Sequence, residues 1–337
     1  MSTANVKNFV GIDISKHHLD VALVQSGSVC FKFRVDNNKQ GISQIKLHLE
    51  QQGAEMTNDT LVVMEHTGLY QRQLVSWLAE SGVQICVEMP MRIKASIGLH
   101  RGKTDTLDAQ RIAEYGFKNR EALNLWRHPR KALLHVQDLL ANRERLIKAK
   151  QTLLVPIREM KQFSNQEAKF FERLNKQAVN GIEKSIEKIE QEINATVSAD
   201  AQLQKQTGLL RSIPGIGPIT ALHLVCSTNE FTNYSEGKKL ACYAGVAPFE
   251  HQSGSSVRGK TRVHPMANKN LKKHLHLAAV STLSRPTEFR EYFERKVAEG
   301  KNKMLVINAI RNKLALRAAA VIRRQQPYVD NYVGKVT

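Results

Sequence analysis

Four acidic residues, Asp13, Glu65, Asp105 and Asp108, are the part of this sequence best placed to do chemistry. Each lies beside an apolar run that reads as a strand, or on a helix that follows one. Carboxylates in such places are costly to bury unless positive charge meets them. Hard divalent cations take oxygen ligands of this kind, and two of them can clamp the attacking and leaving oxygens of a phosphodiester. The rest of the chain is strongly basic, with 50 Lys and Arg against 31 Asp and Glu and a formal net charge of +19. That excess points to a phosphate polymer as partner. The expectation is DNA-cutting chemistry, with Mg2+ or Mn2+ held by Asp13, Glu65, Asp105 and Asp108.

The elements that would position these acids can be read from apolar periodicity. Phe9 to Ser15 predicts a central strand with Asp13 set into it. Leu19 to Val24 and Val29 to Val35 predict two more strands, separated by the turn signal Ser26-Gly27-Ser28. Gly41 to Gln52 has helical spacing through Ile42, Ile45 and Leu49. Leu61 to Met64 is a fourth strand ending at Glu65, Leu69 to Ser81 an amphipathic helix, and Val83 to Val87 a fifth strand. Pro90 opens further helical sequence, and a last helix starts near Thr104. Three strands followed by alternating helix and strand is the order of an RNase H-like domain. There the first and fourth strands are neighbours, so Asp13 would face Glu65. Asp105 and Asp108 are three apart on one helix face, with Cβ atoms roughly 5–6 Å from each other. Any one of these acids alone reads as a turn cap or a complement to a helix dipole; together, in this order, they read as a metal site. Gly11-Ile12-Asp13 also opens the phosphate loop of actin-like and sugar-kinase folds. Those need a glycine after the aspartate, and here Ile14-Ser15-Lys16 follows.

At 337 residues the chain has room for two or three domains. Its 42% hydrophobic and 6% aromatic content suits a helix-rich protein. No apolar stretch approaches the roughly 20 residues of a membrane span, and the polar Met1 to Lys7 predicts no signal peptide. Cys30, Cys86, Cys226 and Cys242 form no C-x-x-C pair and are expected to be reduced, buried thiols of a cytoplasmic protein. The histidines show no zinc spacing, and His274 and His276 are expected to face nucleic acid or solvent.

In the middle of the chain Leu133, Leu140, Ile147 and Leu154 repeat every seven residues, with Leu139, Leu146, Leu153 and Met160 as a parallel stripe. After a break at Ser164-Asn165, Val179, Ile182, Ile186, Ile189 and Ile193 continue at helical spacing. Both stretches predict long helices packed as a hairpin or an intermolecular coiled coil, with Pro156 a possible kink. Further on, Ile213-Pro-Gly-Ile-Gly-Pro218 reads as a glycine turn between two helices. In helix-hairpin-helix modules such a turn offers backbone N–H groups to a DNA phosphate, which makes Gly215 and Gly217 candidate contacts. His251 to Lys260 reads as a loop of small and hydroxyl residues beside Arg258, Lys260 and Arg262. By itself it is an ordinary flexible loop. From Arg258 to Arg324 there are seventeen Lys and Arg and four Glu, enough for several phosphate contacts, Lys269, Lys272 and Lys273 among them.

Taken together, Gly11-Ile-Asp-Ile-Ser-Lys16, Glu65-His-Thr-Gly68, Lys103-Thr-Asp-Thr-Leu-Asp-Ala109, Ile213-Pro-Gly-Ile-Gly-Pro218 and Ala244-Gly-Val-Ala-Pro248 with Ser253-Gly254 are highly specific. Over nearly its whole length the chain resembles the DEDD transposases of insertion-sequence family one-hundred-and-ten and the related Piv-type DNA invertases. The resemblance implies a RuvC-like N-terminal domain whose acid quartet maps to Asp13, Glu65, Asp105 and Asp108. It also implies a DNA-attacking serine at Ser253, with Ser255 and Ser256 as near neighbours. Donor and target DNA would be selected by a structured noncoding RNA, and the protein would work as a dimer or tetramer in the bacterial cytoplasm, at the nucleoid. The family's glycine after the serine loop is Asn268 here, a local departure.

The expected architecture is therefore α/β plus α: residues 1–125 as the RuvC-like metal-binding domain, 126–207 as a helical coiled-coil arm, and 208–337 as a helical C-terminal domain with the helix-hairpin-helix and serine loop. A metal-dependent RuvC-like Holliday-junction nuclease acting by hydrolysis would share the acids and the charge, but would not need the serine. A nucleic-acid-binding protein without catalysis would have no use for converging carboxylates.

Overall fold

A computed structural model describes residues 6–97, 105–247, 249–253, 257–262 and 267–330, the side chains of 97, 105–106, 249–253 and 257–262 excepted. The chain divides into two compact units, Met1–His128 and Pro129–Thr337.

The first unit is built on β1 (Asn8–Ile14), β2 (His18–Gln25), β3 (Ser28–Asp36), β4 (Thr60–Glu65) and β5 (Gln84–Glu88). These form one sheet in the order β3-β2-β1-β4-β5. The pairs β1–β2 and β2–β3 run antiparallel, and β1–β4 and β4–β5 parallel. This is the RNase H-like order, with the first and fourth strands adjacent as the strand pattern predicts. Covered on both faces, β1 and β4 are almost continuously apolar. The edge strand β3 alternates between exposed and less exposed positions. Helices α1 (Lys39–Gln51) and α2 (Arg72–Glu80) cover one face. There Ile42, Ile45, Leu49, Leu74 and Leu78 pack with Val10, Ile12 and Leu19. After α3 (Pro90–Ile97), α4 (Asp105–Asn119) covers the other face, with Ala109, Ile112 and Ala113 against Phe9, Leu61 and Val63. The helix can lie this close because β1 carries a glycine. A Cβ on Gly11 would stand 2.2 Å from the Ala109 carbonyl oxygen and 2.3 Å from the Ala113 nitrogen.

The second unit opens with α5 (Lys131–Met160) and α6 (Asn165–Ala199). They run antiparallel, bridged by Arg143–Glu190, Lys150–Glu183 and Lys161–Glu172, residue numbers falling on α6 as they rise on α5. Pro156 lies inside α5 and does not end it. Ser164 caps α6 by accepting from the Glu167 amide, which explains the sequence break there. At the base Leu133, Val136, Leu140 and Ile193 are buried; near the turn Ile157 and Ala168 are buried, while Phe163, Phe170 and Leu174 are exposed. Helices α7 (Ala201–Arg211), α8 (Pro218–Ser227), α9 (Gly237–Tyr243), α10 (Lys269–Thr282), α11 (Glu288–Ala298) and α12 (Lys303–Arg324) follow. Their core includes Leu210, Leu224, Leu271, Phe289 and Leu314. Arg130 ties the start of α5 into this body through Glu230 and Asp200, the residue that caps α7. One expectation needs correction. The stretch read as a loop in a helical domain forms an antiparallel pair, β6 (Phe249–Ser253) with β7 (Val257–Arg262).

Candidate functional site

Asp13 is the penultimate residue of β1, and Glu65 is the last of β4. The parallel register that pairs Ile12 with Met64 brings the two acids side by side at the carboxyl ends of the central strands. Asp13 lies opposite Asp20 on β2, Asp20 lies opposite Arg34 on β3, and Glu65 lies opposite Glu88 on β5. One row therefore crosses all five strands: Arg34, Asp20, Asp13, Glu65, Glu88. Residues at paired positions share a face, and this is the face of Phe9 and Val63, covered by α4.

Helix α4 brings the remaining acids to the same end. Gly116 abuts Phe9 and Val63, whereas Gly11 abuts Ala109 and Ala113. The helix therefore runs back along β1, and its first turn, with Asp105 and Asp108, lies toward the Asp13 end. The Asp105 side chain is outside the described residues. Asp108 accepts from Arg111 Nη1 at 2.9 Å.

The two ends of the row are neutralised locally. Arg34 forks onto Asp20, with Nε–Oδ1 at 3.0 Å and Nη2–Oδ2 at 2.9 Å. Buried Glu88 accepts from the Met89 amide at 2.9 Å, Tyr115 Oη at 3.2 Å and Arg92 at 3.4 Å. Burial, and then Glu88, pushes the Tyr115 phenol up to about 12. The centre behaves differently. Burial raises the Glu65 carboxyl above its ordinary value; Lys94 draws it down and Asp108 drives it up. Such a group gains most from a cation, and donors that are all oxygen suit a hard divalent one. Asp20 and Glu88 were not singled out in the sequence. The available signal was an acid at the end of an apolar run, as in His18-Leu-Asp20 and Cys86-Val-Glu88.

The predicted residues of the second unit are placed less completely. Ser253 ends β6 opposite Val257, and Arg258, Lys260 and Arg262 lie on β7, all with side chains outside the described residues; Gly254, Ser255 and Ser256 are outside altogether. Gly215 and Gly217 lie in the turn between α7 and α8. Gly215 has φ +84°, and a Cβ there would meet the Ala278 carbonyl oxygen at 2.5 Å, so packing against α10 already requires glycine. Gly217 has open space around it. On α10, Lys269 is exposed and Lys272 half-buried, while Lys273 pairs with Glu144. Asn268, the departure from the family glycine, caps α10 by accepting from the Leu271 amide at 2.9 Å. Two expectations fail here. His274 is buried rather than facing nucleic acid or solvent, because it falls on the inner face of α10 with Leu271, Leu275 and Ala278. Cys30 is exposed, unlike buried Cys86 and Cys226.

Among the described residues, one group of three His, Cys, Asp or Glu side chains has its ligand atoms all within 4.8 Å, and it is Glu144, His223 and His274. Asp13, Glu65 and Asp108 are gathered at one sheet end without closing that tightly.

Comparison with known proteins places the whole chain. A DEDD transposase profile of the IS110 group matches residues 10–165, and the profile "Transposase IS116/IS110/IS902 family" matches residues 207–294. The pilin gene-inverting protein of Moraxella bovis is 30% identical over 329 residues, covering 96% of this chain and 98% of its own. The transposase of insertion sequence element IS1111A from Coxiella burnetii is 23% identical, covering 73% of each chain. Among solved structures, Thermus thermophilus RuvC in complex with a Holliday junction substrate covers 36% of this chain and 99% of its own, at 16% identity and a TM-score of 0.26. The strand order, not that distant likeness, carries the fold assignment. With both halves matched and a relative aligned almost end to end, this chain belongs to the IS110-type family of DEDD transposases and DNA invertases, enzymes of DNA recombination.

Proposed function

We propose that the protein cuts and rejoins DNA through a Ser253–phosphate link, with Mg2+ (Mn2+ serving equally) held by Asp13, Glu65, Asp105 and Asp108. The observation that carries this reading is the acid row. Asp13 and Glu65 stand side by side at the carboxyl ends of the central strands, and the first turn of α4, with Asp105 and Asp108, lies toward the same end. Two ions about 4 Å apart need ligands spread over a wider span than one ion does, which suits acids gathered at a sheet end without a single tight cluster. When bound, the ions supply the positive charge that stabilises a phosphate under attack.

The protein's own groups do the rest. The Ser253 hydroxyl gives its proton to water and attacks phosphorus; the serine oxygen–phosphorus bond forms as the strand's phosphorus–oxygen bond breaks, and the departing sugar oxygen takes a proton back from water. The link conserves bond energy, so the reverse attack reseals DNA without an external source. Arg258, Lys260 and Arg262 follow Ser253 closely enough in sequence to hold the phosphate, with Lys269, Lys272 and the turn at Gly215 and Gly217 as further contacts. A structured noncoding RNA selects donor and target DNA, supported by the excess of Lys and Arg over acids. The protein works as a dimer or tetramer, supported by the exposed Phe163, Phe170 and Leu174 on the helical hairpin.

The test is a denaturing gel for protein–DNA adducts. Wild type should form one, and Ser253→Ala should lose both adduct and cleavage while still binding metal, DNA and RNA. An adduct that survives Ser253→Ala and disappears in Ser255→Ala or Ser256→Ala moves the nucleophile. Cleavage without any adduct replaces this reading with hydrolysis of a Holliday-junction type.

A further inference from the structure

We propose that Glu144, His223 and His274 form a zinc site in the second unit, separate from the acid row. The three residues come from α5, α8 and α10, far apart in sequence, which is why no histidine spacing announces them. Glu144 Oε1 stands 3.0 Å from His274 Nε2 and 3.8 Å from His223 Nε2. Zinc bonds of about 2.0–2.1 Å in tetrahedral array place ligand atoms roughly 3.3–3.4 Å apart. These two spacings straddle that value, and the three ligand atoms all lie within 4.8 Å of one another. The two imidazoles are stacked, with ring centres 3.7 Å apart and planes at 19°. Binding through both Nε2 atoms therefore also requires the rings to splay.

One further observation favours a ligand over simple packing. His223 Nε2 is buried and has no hydrogen-bond partner among the described residues, and a buried polar atom left unsatisfied is costly. Lys273 holds the other oxygen of Glu144 and so orients the carboxylate, the usual task of a partner behind a metal ligand. Two imidazoles and one carboxylate suit Zn2+ rather than the Mg2+ expected at an all-oxygen site. Bound there, zinc would pin the base of the helical hairpin to α8 and α10.

The experiment uses the full-length chain carrying Asp13→Asn and Glu65→Gln, stripped with chelator, so that the acid row does not contribute. Titration with Zn2+ against a chromophoric indicator should show one tight equivalent, and Co2+ in its place should give the visible absorption of a four- or five-coordinate ion. Adding His223→Gln or His274→Gln should weaken zinc binding by more than about tenfold and abolish the cobalt bands, with circular dichroism unchanged. Absence of a zinc equivalent in the Asp13→Asn, Glu65→Gln protein overturns the proposal. So does zinc binding that persists undiminished in both histidine variants.

Discussion

Two half-buried glutamates, one in each unit, are treated in opposite ways. Glu65 ends a central strand beside Asp13 and feels Asp108, and its carboxyl is raised, with burial the first cause. At Glu144 burial also raises the carboxyl, but the hydrogen bond from Lys273, and then its charge and that of His274, outweigh it and leave the group below its ordinary value. The second unit has met its acid with cations from its own chain. In the first unit Arg34 meets Asp20, and Arg92 and Tyr115 meet Glu88, while at Glu65 burial and Asp108 outweigh the charge of Lys94. The contrast is one of balance: cationic partners win at Glu144, and burial wins at Glu65.

The largest change expected from breaking this contrast is mechanical. Gly11→Ala puts a Cβ into the backbone of α4, and overpacking of that kind costs about 3 kcal/mol or more. It should show as a lowered denaturation midpoint of the first unit together with loss of DNA cleavage, since the first turn of α4 can no longer lie over Asp13. The counterpart in the second unit is Arg130→Met. It strands Glu230, whose side chain is 6% exposed, at a cost of about 2–3 kcal/mol after allowing for the partly exposed arginine. The same variant has a pH signature. The hydrogen bond from Arg130 lowers Asp200. The stability Asp200 contributes is therefore present above the ordinary aspartate pKa and is lost as pH falls through the depressed folded value. Arg130→Met should flatten that acid limb in urea melts taken at successive pH values.

A smaller effect tests the glutamates directly. With divalent metal withheld, Glu144→Gln should destabilise by about 1.5 kcal/mol, because charge-assisted bonds from Lys273 and His274 are weakened. Glu65→Gln should be neutral or stabilising by less than about 1 kcal/mol, since it removes repulsion. Equal destabilisation by the two would remove the contrast.

Much of the first unit was legible in the sequence because its signals are local. The alternating and continuous apolar runs placed all five strands, and their order placed Asp13 beside Glu65. What escaped was non-local. Arg34 opposite Asp20 and Glu88 opposite Glu65 are facts of register, invisible until the strands are paired. The β6–β7 pair escaped because Phe249-Glu-His-Gln-Ser253 is mostly polar, without the apolar alternation that marks a half-buried strand. His274 was legible and misread: Leu271, Leu275 and Ala278 already put it on the apolar side of its helix. Its meeting with Glu144 and His223, brought from α5 and α8, was not legible at all.

The middle of the acid row, and not its ends, is expected to serve DNA cleavage. The most direct measurement is Mn2+ binding by paramagnetic resonance, paired with the rate of strand cleavage, for wild type, Glu65→Gln and Glu88→Gln. Glu65→Gln should lose cleavage and weaken Mn2+ binding, while Glu88→Gln, which alters a residue already held by Tyr115 and Arg92, should keep both near wild type. Wild-type cleavage by Glu65→Gln would show that the centre of the row is not needed for the reaction.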